Sequence, residues 1–313
     1  MTSQPRYVSP LRYPGGKTAM ARWLAGMFGQ QAGDLPVEVW VEPFAGGAGA
    51  ALTLLEQSAV EEAWLVEVND GIAAFWQSVV DDGETLAAAV ERTEPTLELF
   101  DQSRAKLGDP STADRFGLGF AAFVVNRCSR SGMVSATSGP IGGRTQTGRW
   151  RVDARFNAAG LAERIRRLHA MRSRLRVFHG DGISFVEGLD GSGVGDEVVV
   201  FADPPYVREG NRLYANGFDE RAHVRLAEAL NRTRCRWALT YDDEPVVSDR
   251  FYPHRRVLAY ACRNSANRAR VATEFLVLSD NVDVRGLGAP IDGLGARWVR
   301  AEPCAAQVGA CDA

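Results

Sequence analysis

The apolar run Val198-Val199-Val200-Phe201-Ala202 stops at two consecutive prolines, in the order Asp203-Pro204-Pro205-Tyr206. No other stretch restricts the fold as tightly. A short, unbroken, valine-rich run reads as a buried strand. Pro204 and Pro205 fix φ and remove two N–H donors, so the strand ends there and the loop after it is stiff. A strand that hands over to a polar loop in this way suits an open α/β sheet, which binds its ligands at the carboxyl edge.

The rest of the chain fits that frame. Residues 37–41 alternate as a strand, a glycine-rich turn follows, and 48–57 read as a helix. A second strand is expected over 63–68, a third over 175–179 and a fourth into Asp203. Helical periodicity appears at 18–28, 72–80, 85–93, 95–106, 112–126, 158–174 and 219–231. Strands at 235–241, 256–262 and 273–279 close the series. Alternating strands and helices imply a mostly parallel sheet, and the final strand pair implies an antiparallel edge. Residues 127–156 hold Gly132, Gly139, Gly142, Gly143 and Gly148 with little periodicity. A loop of that length in a compact protein is usually functional. Residues 281–313, rich in small residues, are expected to form a flexible tail.

Charge is unevenly spread. The net charge is only −3, yet residues 34–98 hold fourteen acids against Arg92 alone, a net of −13. Residues 104–176 hold fifteen arginines and lysines against four acids, a net of +11. A basic block of this size points to nucleic acid. Arg164, Arg166, Arg167, Arg172, Arg174 and Arg176 fit a solvated helix face. Arg127, Arg130, Arg144, Arg149, Arg151 and Arg155 lie among glycines and serines, off any helical period, and are the candidate DNA contacts. The five cysteines are scattered without C-x-x-C spacing, and the four histidines have no ligand spacing, so neither a disulfide framework nor a metal site is indicated. No run is long enough to span a membrane and the N-terminus has no signal-like core, which suggests a cytoplasmic protein.

The chemistry concentrates at strand ends. Asp203, proline carbonyls and the Tyr206 ring would face one small space. Such a site suits a flat group bearing an exocyclic amine, with Asp203 and Pro204 accepting its two N–H bonds and Tyr206 stacking on its face. Adenine flipped from a duplex is such a group. The turn Glu42-Pro43-Phe44-Ala45-Gly46-Gly47-Ala48-Gly49 lets a ligand approach the backbone closely at a helix start. Glu67, at the end of the next strand, could accept both hydroxyls of a ribose. Leu52 stands where a dinucleotide fingerprint needs glycine or alanine, which argues against NAD. Asp181 could accept from a cofactor amine or cap the following helix. Near the N-terminus, Leu11-Arg12-Tyr13-Pro14-Gly15-Gly16-Lys17 would fold the Tyr13 ring and the Lys17 ammonium over a ligand, the ammonium holding a carboxylate.

Taken in order, R-Y-P-G-G-K, V-E-P-F-A-G-G-A-G, an acid after the second strand and D-P-P-Y resemble the Dam-type (D12 class) DNA adenine-N6 methyltransferases. The likeness runs from about Leu11 to Ser279 through Asn126-Arg127, Gly139-Pro140-Ile141-Gly142-Gly143, Arg155-Phe156-Asn157 and Leu213-Tyr214-Ala215-Asn216. Glu67 stands where the family usually has aspartate. The stretch from Asn126 to Gly132 looks closer to phage and mobile-element enzymes than to the G-A-T-C-reading branch. The resemblance implies a Rossmann-like methyltransferase sheet with S-adenosylmethionine bound by Tyr13, Lys17, Glu67 and Asp203; Phe44, Gly46, Gly47 and Gly49 of the turn and Asp181 complete the expected cofactor site. It also implies a helical target-recognition insert over 72–159 between catalytic segments 1–71 and 160–280. The expected partner is double-stranded DNA, met by a monomer in the cytoplasm or nucleoid, with a cognate restriction system as a further partner. Three other readings stand beside it: an N4-cytosine DNA methyltransferase, an NAD-linked oxidoreductase, and a DNA-binding regulator with a defunct core.

Overall fold

The computed structural model describes residues 8–29, 37–189, 197–208, 218–264, 270–284 and 288–303. One eight-stranded sheet organises the chain: β1 (Val37–Glu42), β2 (Val60–Glu67), β3 (Leu175–His179), β4 (Val198–Ala202), β5 (Arg236–Asp242), β6 (Arg256–Asn264), β7 (Arg270–Leu278) and β8 (Ala296–Arg300). Their spatial order is β3-β2-β1-β4-β5-β7-β6-β8. The first five strands are parallel, whereas β7 runs antiparallel to β5 and β6, and β8 antiparallel to β6. Every residue of β4 is buried, as its unbroken apolar run requires at the middle of a sheet covered on both faces.

Helices supply the covers. One face buries α1 (Ala21–Gly29), α2 (Gly49–Glu56), α3 (Asp70–Asp81), α4 (Gly83–Glu91), α6 (Arg115–Cys128) and α7 (Ala158–Ala170) in a continuous cluster that includes Leu24, Leu55, Phe75, Phe123 and Leu161. Between α4 and α6 lies α5 (Leu97–Gly108). The opposite face buries α8 (Gly182–Leu189) and α9 (Glu220–Arg232) through Ile183, Val186, Leu226 and Leu230. The fold is Rossmann-like α/β.

Most element boundaries move by one to three residues from those the sequence suggests, and side-chain caps account for several. Asn69 accepts the Ile72 N–H and starts α3 two residues earlier, while Asp114 accepts the Gly117 N–H and starts α6 later. The expected helix over 158–174 ends at Ala170, with a 3₁₀ turn from Arg172 to Arg174. The boundary expected at 71/72 falls inside α3, which packs against β2 and β3. Phe75 stacks on Phe123 at 5.4 Å, and Phe123 meets Phe156 edge-on at 5.6 Å. The inserted helices therefore share the sheet's core.

The expectation of a flexible tail from 281 is corrected by β8. Residues 296–300 pair with β6, and Arg300 donates to the carbonyls of Ser248, Tyr252 and Arg255. Trp23 Nε1 also donates to the Gly288 carbonyl at 2.7 Å. Leu213-Tyr214-Ala215-Asn216 lies outside the described residues. No helix among the described residues is long and apolar enough to cross a membrane.

Candidate active site

The strand order sets the place. From β1 the chain steps outward to β2 and β3, then returns to β4 on the other side of β1 and continues to β5. Adjacent strands whose connections leave in opposite directions open a crevice at their carboxyl ends. Two loops border it: residues 43–48 after β1, and Asp203-Pro204-Pro205-Tyr206 after β4.

The first loop is tightly wound. Gly46 has φ of +46°, and Ala48, just before α2, has φ of +50°. A non-glycine residue in the left-handed region costs about 1–2 kcal/mol, and such residues gather at ligand sites. A Cβ at Gly46 would lie 2.5 Å from the Tyr13 ring, and one at Gly47 would lie 2.6 Å from Tyr13 Cβ. The glycines thus let Tyr13 lie directly on the turn. Gly49, the first residue of α2, sits against the Thr18 hydroxyl in the same manner. Phe44 meets Phe218 edge-on at 5.6 Å. Glu67, the last residue of β2, closes the turn from beneath: its Oε2 accepts the Gly46 N–H at 2.8 Å and its Oε1 the Asn69 N–H at 2.8 Å. Burial raises its pKa against those two hydrogen bonds.

The N-terminal turn bridges both loops. Four residues after Tyr13, Lys17 is 8% exposed and its ammonium donates to Gly15 O at 2.8 Å, Tyr206 OH at 2.8 Å and Asp203 Oδ2 at 3.0 Å. Asp203 Oδ1 lies 2.9 Å from the same ammonium and accepts from the hydroxyls of Thr240 at 2.6 Å and Tyr206 at 3.1 Å. Pro204 and Pro205 are buried. Burial alone would lower the Lys17 pKa; Asp203 and Glu274 more than offset it and keep the ammonium charged. Burial raises the Asp203 pKa, Lys17 opposes the rise and Glu274 adds to it. Lys17 was expected to hold a ligand carboxylate. Its three N–H bonds are instead spent within the protein, because the strand order brings Asp203 to it.

Four participants escape the sequence reading. Thr240, on β5, carries Asp203. Glu274, on β7, is 14% exposed, lies 3.6 Å from Lys17 and accepts the Tyr260 hydroxyl at 2.5 Å. Tyr260 stands opposite Glu274 on β6. Glu42, at the end of β1, accepts the Ala51 N–H at 2.6 Å and Trp40 Nε1 at 3.2 Å, and burial pushes its pKa up to about 7. One signal was available: Glu42 ends the first strand, directly before the glycine turn.

Asp181 caps the start of α8. It accepts the N–H groups of Ile183 and Ser184 and the Ser184 hydroxyl, and Arg225 pairs with it at 3.0 Å.

The arginines separate by partner. Arg144 pairs with Asp101 at 2.6 Å, so it is not the unpaired cation the sequence suggests. Arg115, Arg166, Arg167 and Arg176 pair with acids of the preceding segment (Asp81 and Asp82, Glu84 and Glu91, Glu56, and Glu62). Arg127 is drawn inward and donates to the carbonyls of Arg155 and Pro10; burial and the neighbouring Arg12, Arg164 and Arg155 lower its pKa to about 10. Arg130, Arg149, Arg151 and Arg155 are exposed and form no ion pair among the described residues. Beside them Trp150 is 59% exposed, with the Arg149 guanidinium 4.9 Å from its ring centre.

A doubly wound sheet with an acidic D-P-P-Y loop facing a glycine turn across its switch point defines a Rossmann-like enzyme of the methyltransferase kind. A family model for D12 class N6 adenine-specific DNA methyltransferases matches residues 13–250, and the chain belongs to that family. It is thus an adenine-specific DNA methyltransferase. No match was found among curated proteins. Similar solved structures include a protein from Pyrococcus horikoshii provisionally assigned as an RNA methyltransferase, 14% identical, with a TM-score of 0.35 over 86% of this chain and 83% of that one. A Legionella pneumophila protein is 11% identical, with a TM-score of 0.33 over 84% of this chain and 85% of that one.

Proposed function

We propose that the enzyme transfers the methyl group of S-adenosylmethionine to N6 of an adenine extruded from duplex DNA, in the crevice between the 43–48 turn and Asp203. The observation that carries this reading is the Asp203 carboxylate at the carboxyl end of β4, where Oδ1 accepts the Thr240 and Tyr206 hydroxyls and Oδ2 accepts only from Lys17. Oδ2 keeps a lone pair for an incoming N–H.

The donor set fits the cofactor. Glu67 binds one backbone N–H with each oxygen, which leaves lone pairs for two ribose hydroxyls. Tyr13, Phe44, Gly46, Gly47 and Gly49 form the wall beside it. When bound, S-adenosylmethionine supplies an electrophilic methyl group on a sulfonium. The protein's part is alignment and charge. Asp203 and the Pro204 carbonyl accept the two amine N–H bonds, which favours a tetrahedral nitrogen whose lone pair is free to attack. Tyr206 stacks on the base. After transfer the nitrogen carries one proton too many, and Asp203, whose pKa burial raises, receives it. Preorganised acceptors and orientation carry the rate.

Residues 72–159 serve as the target-recognition segment in this reading, with Arg130, Arg149, Arg151 and Arg155 on phosphates or base edges. The enzyme acts as a monomer on DNA in the cytoplasm, and a cognate restriction nuclease is the partner to look for.

Asp203→Ala tests the proposal. Transfer of labelled methyl groups to unmethylated DNA should fall on the order of a thousandfold, while DNA binding persists. Near-wild-type transfer by this variant refutes the role given to Asp203.

A further inference from the structure

Lys17 faces two carboxylates. Asp203 holds the ammonium at 2.9 and 3.0 Å, and Glu274 waits at 3.6 Å, beyond a direct hydrogen bond. Glu274 comes from β7, the strand inserted antiparallel between β5 and β6, and lies outside the segment matched by the family model. Its surroundings are built: Tyr260 on β6 donates to Oε2 at 2.5 Å, and Lys17 and Glu274 are 8% and 14% exposed. A buried ammonium stripped of its only carboxylate is strongly unfavourable, so a lysine with one partner stays on it. A second carboxylate within reach removes that obstacle.

We propose that Glu274 is a positioning residue of the methyl-transfer reaction, taking the Lys17 ammonium from Asp203 as the adenine amine arrives. The proposal rests on the reading of Asp203 as the amine's acceptor. In the present arrangement Asp203 is committed to Lys17, Tyr206 and Thr240. A lysine shared by two acids can move by a small rotation and keep its charge compensated. Asp203 then turns a full negative charge on the substrate nitrogen. Without Glu274 the lysine holds Asp203 through the reaction, and the carboxylate is a weaker acceptor for substrate and proton.

The charged and titratable groups around Glu274 fix the sign of its pH signature. Lys17 comes from the N-terminal turn, Asp203 and Tyr206 from the loop after β4, Tyr260 and Cys262 from β6. Asp242 stands opposite on β5, and Glu42 on β1 acts on Lys17 and Asp203. Glu274 raises the Asp203 pKa, so neutralising it lets that pKa fall. The acid limb of the kcat profile, which reports ionisation in the substrate complex, then moves to lower pH.

The test is steady-state methylation of unmethylated DNA by the full chain and its Glu274→Gln variant across pH. The expected result is a plateau kcat lower by about tenfold, KM values for DNA and S-adenosylmethionine within about twofold, and an acid limb displaced to lower pH. Glu274→Asp, which keeps the charge farther from Lys17, should move both readouts the same way by less, and decides alone if the glutamine variant does not fold. An unchanged kcat overturns the proposal. So does a lowered plateau with the acid limb in place, which assigns Glu274 a structural role only. If the wild-type chain itself transfers no methyl group to DNA, the functional reading fails instead.

Discussion

Asn126 has no exposed surface, yet it is polar, and its amide accounts for every bond it needs. Oδ1 accepts the Arg12 N–H at 2.8 Å, and Nδ2 donates to the carbonyls of Arg12 at 2.7 Å and Gly132 at 2.6 Å. It therefore clamps the turn that carries Tyr13 and Lys17 to the end of α6. Asn126→Ala strands buried backbone groups and should cost about 2–4 kcal/mol in urea unfolding, since each unsatisfied group costs about 1–3 kcal/mol. A loss well under 1 kcal/mol would mean the clamp is dispensable. Glu42 makes a different, pH-dependent statement. Its carboxyl is held proton-bearing up to about 7 in the fold, against 4.5 as the ordinary value. Between those pH values the native state binds more protons than the unfolded chain, so stability falls as pH rises and the loss is complete above the folded pKa. A shift of that size corresponds to roughly 3 kcal/mol as an upper figure. Glu42→Gln should abolish that fall, so its stability relative to wild type should improve between about pH 5 and about pH 8. An equal difference at both pH values would place the Glu42 proton elsewhere.

At the scale of elements, the central strands were legible because burial on both faces writes itself into composition. β4 reads as valines and β1 as alternation ended by glycines, and the D-P-P-Y loop marks its own strand end. The edge was not legible. β8 runs Ala296-Arg297-Trp298-Val299-Arg300, four of the five exposed. A solvated edge strand bearing charges looks like a tail until its partner is known. Glu274 was hidden for a related reason. One acid within 270–278 suggests a solvent-facing position, and only the insertion of β7 between β5 and β6 turns it toward Lys17. Ending the chain after Gly295 tests the edge. It removes the β6 pairing and the three carbonyls held by Arg300, and should lower the unfolding free energy by at least about 2 kcal/mol, because hydrogen bonds to charged donors contribute about 1.5–3 kcal/mol. An unchanged urea midpoint would show that β8 adds nothing to the sheet.

The whole molecule resolves what the charge map leaves ambiguous. The acidic stretch over 34–98 and the basic stretch over 104–176 fold against one another. α7 lays Arg166 on Glu84 and Glu91 of α4, and Arg115 closes on Asp81 and Asp82. Much of the apparent basic block is thus cancelled inside the protein, and its sequence signature overstates the field that DNA would meet. Of the six candidate DNA contacts, Arg130, Arg149, Arg151 and Arg155 stay exposed without an acidic partner among the described residues, on the segment with Trp150 that leads from α6 to α7. Each arginine that neutralises a phosphate releases counterions, so removing one should reduce the slope of log affinity against log salt by about one, with a uniform loss across DNA sequences. We expect this for Arg149→Ala and Arg151→Ala measured by fluorescence anisotropy over a salt series. Arg166→Ala, whose guanidinium is already matched by two carboxylates, should leave the slope in place. Arg144→Ala, paired with Asp101, should do the same. Equal slopes for all four variants would mean that DNA meets a different face. A reduced slope for Arg144→Ala or Arg166→Ala would mean that DNA displaces Asp101, Glu84 or Glu91, so that the basic block works as one surface after all.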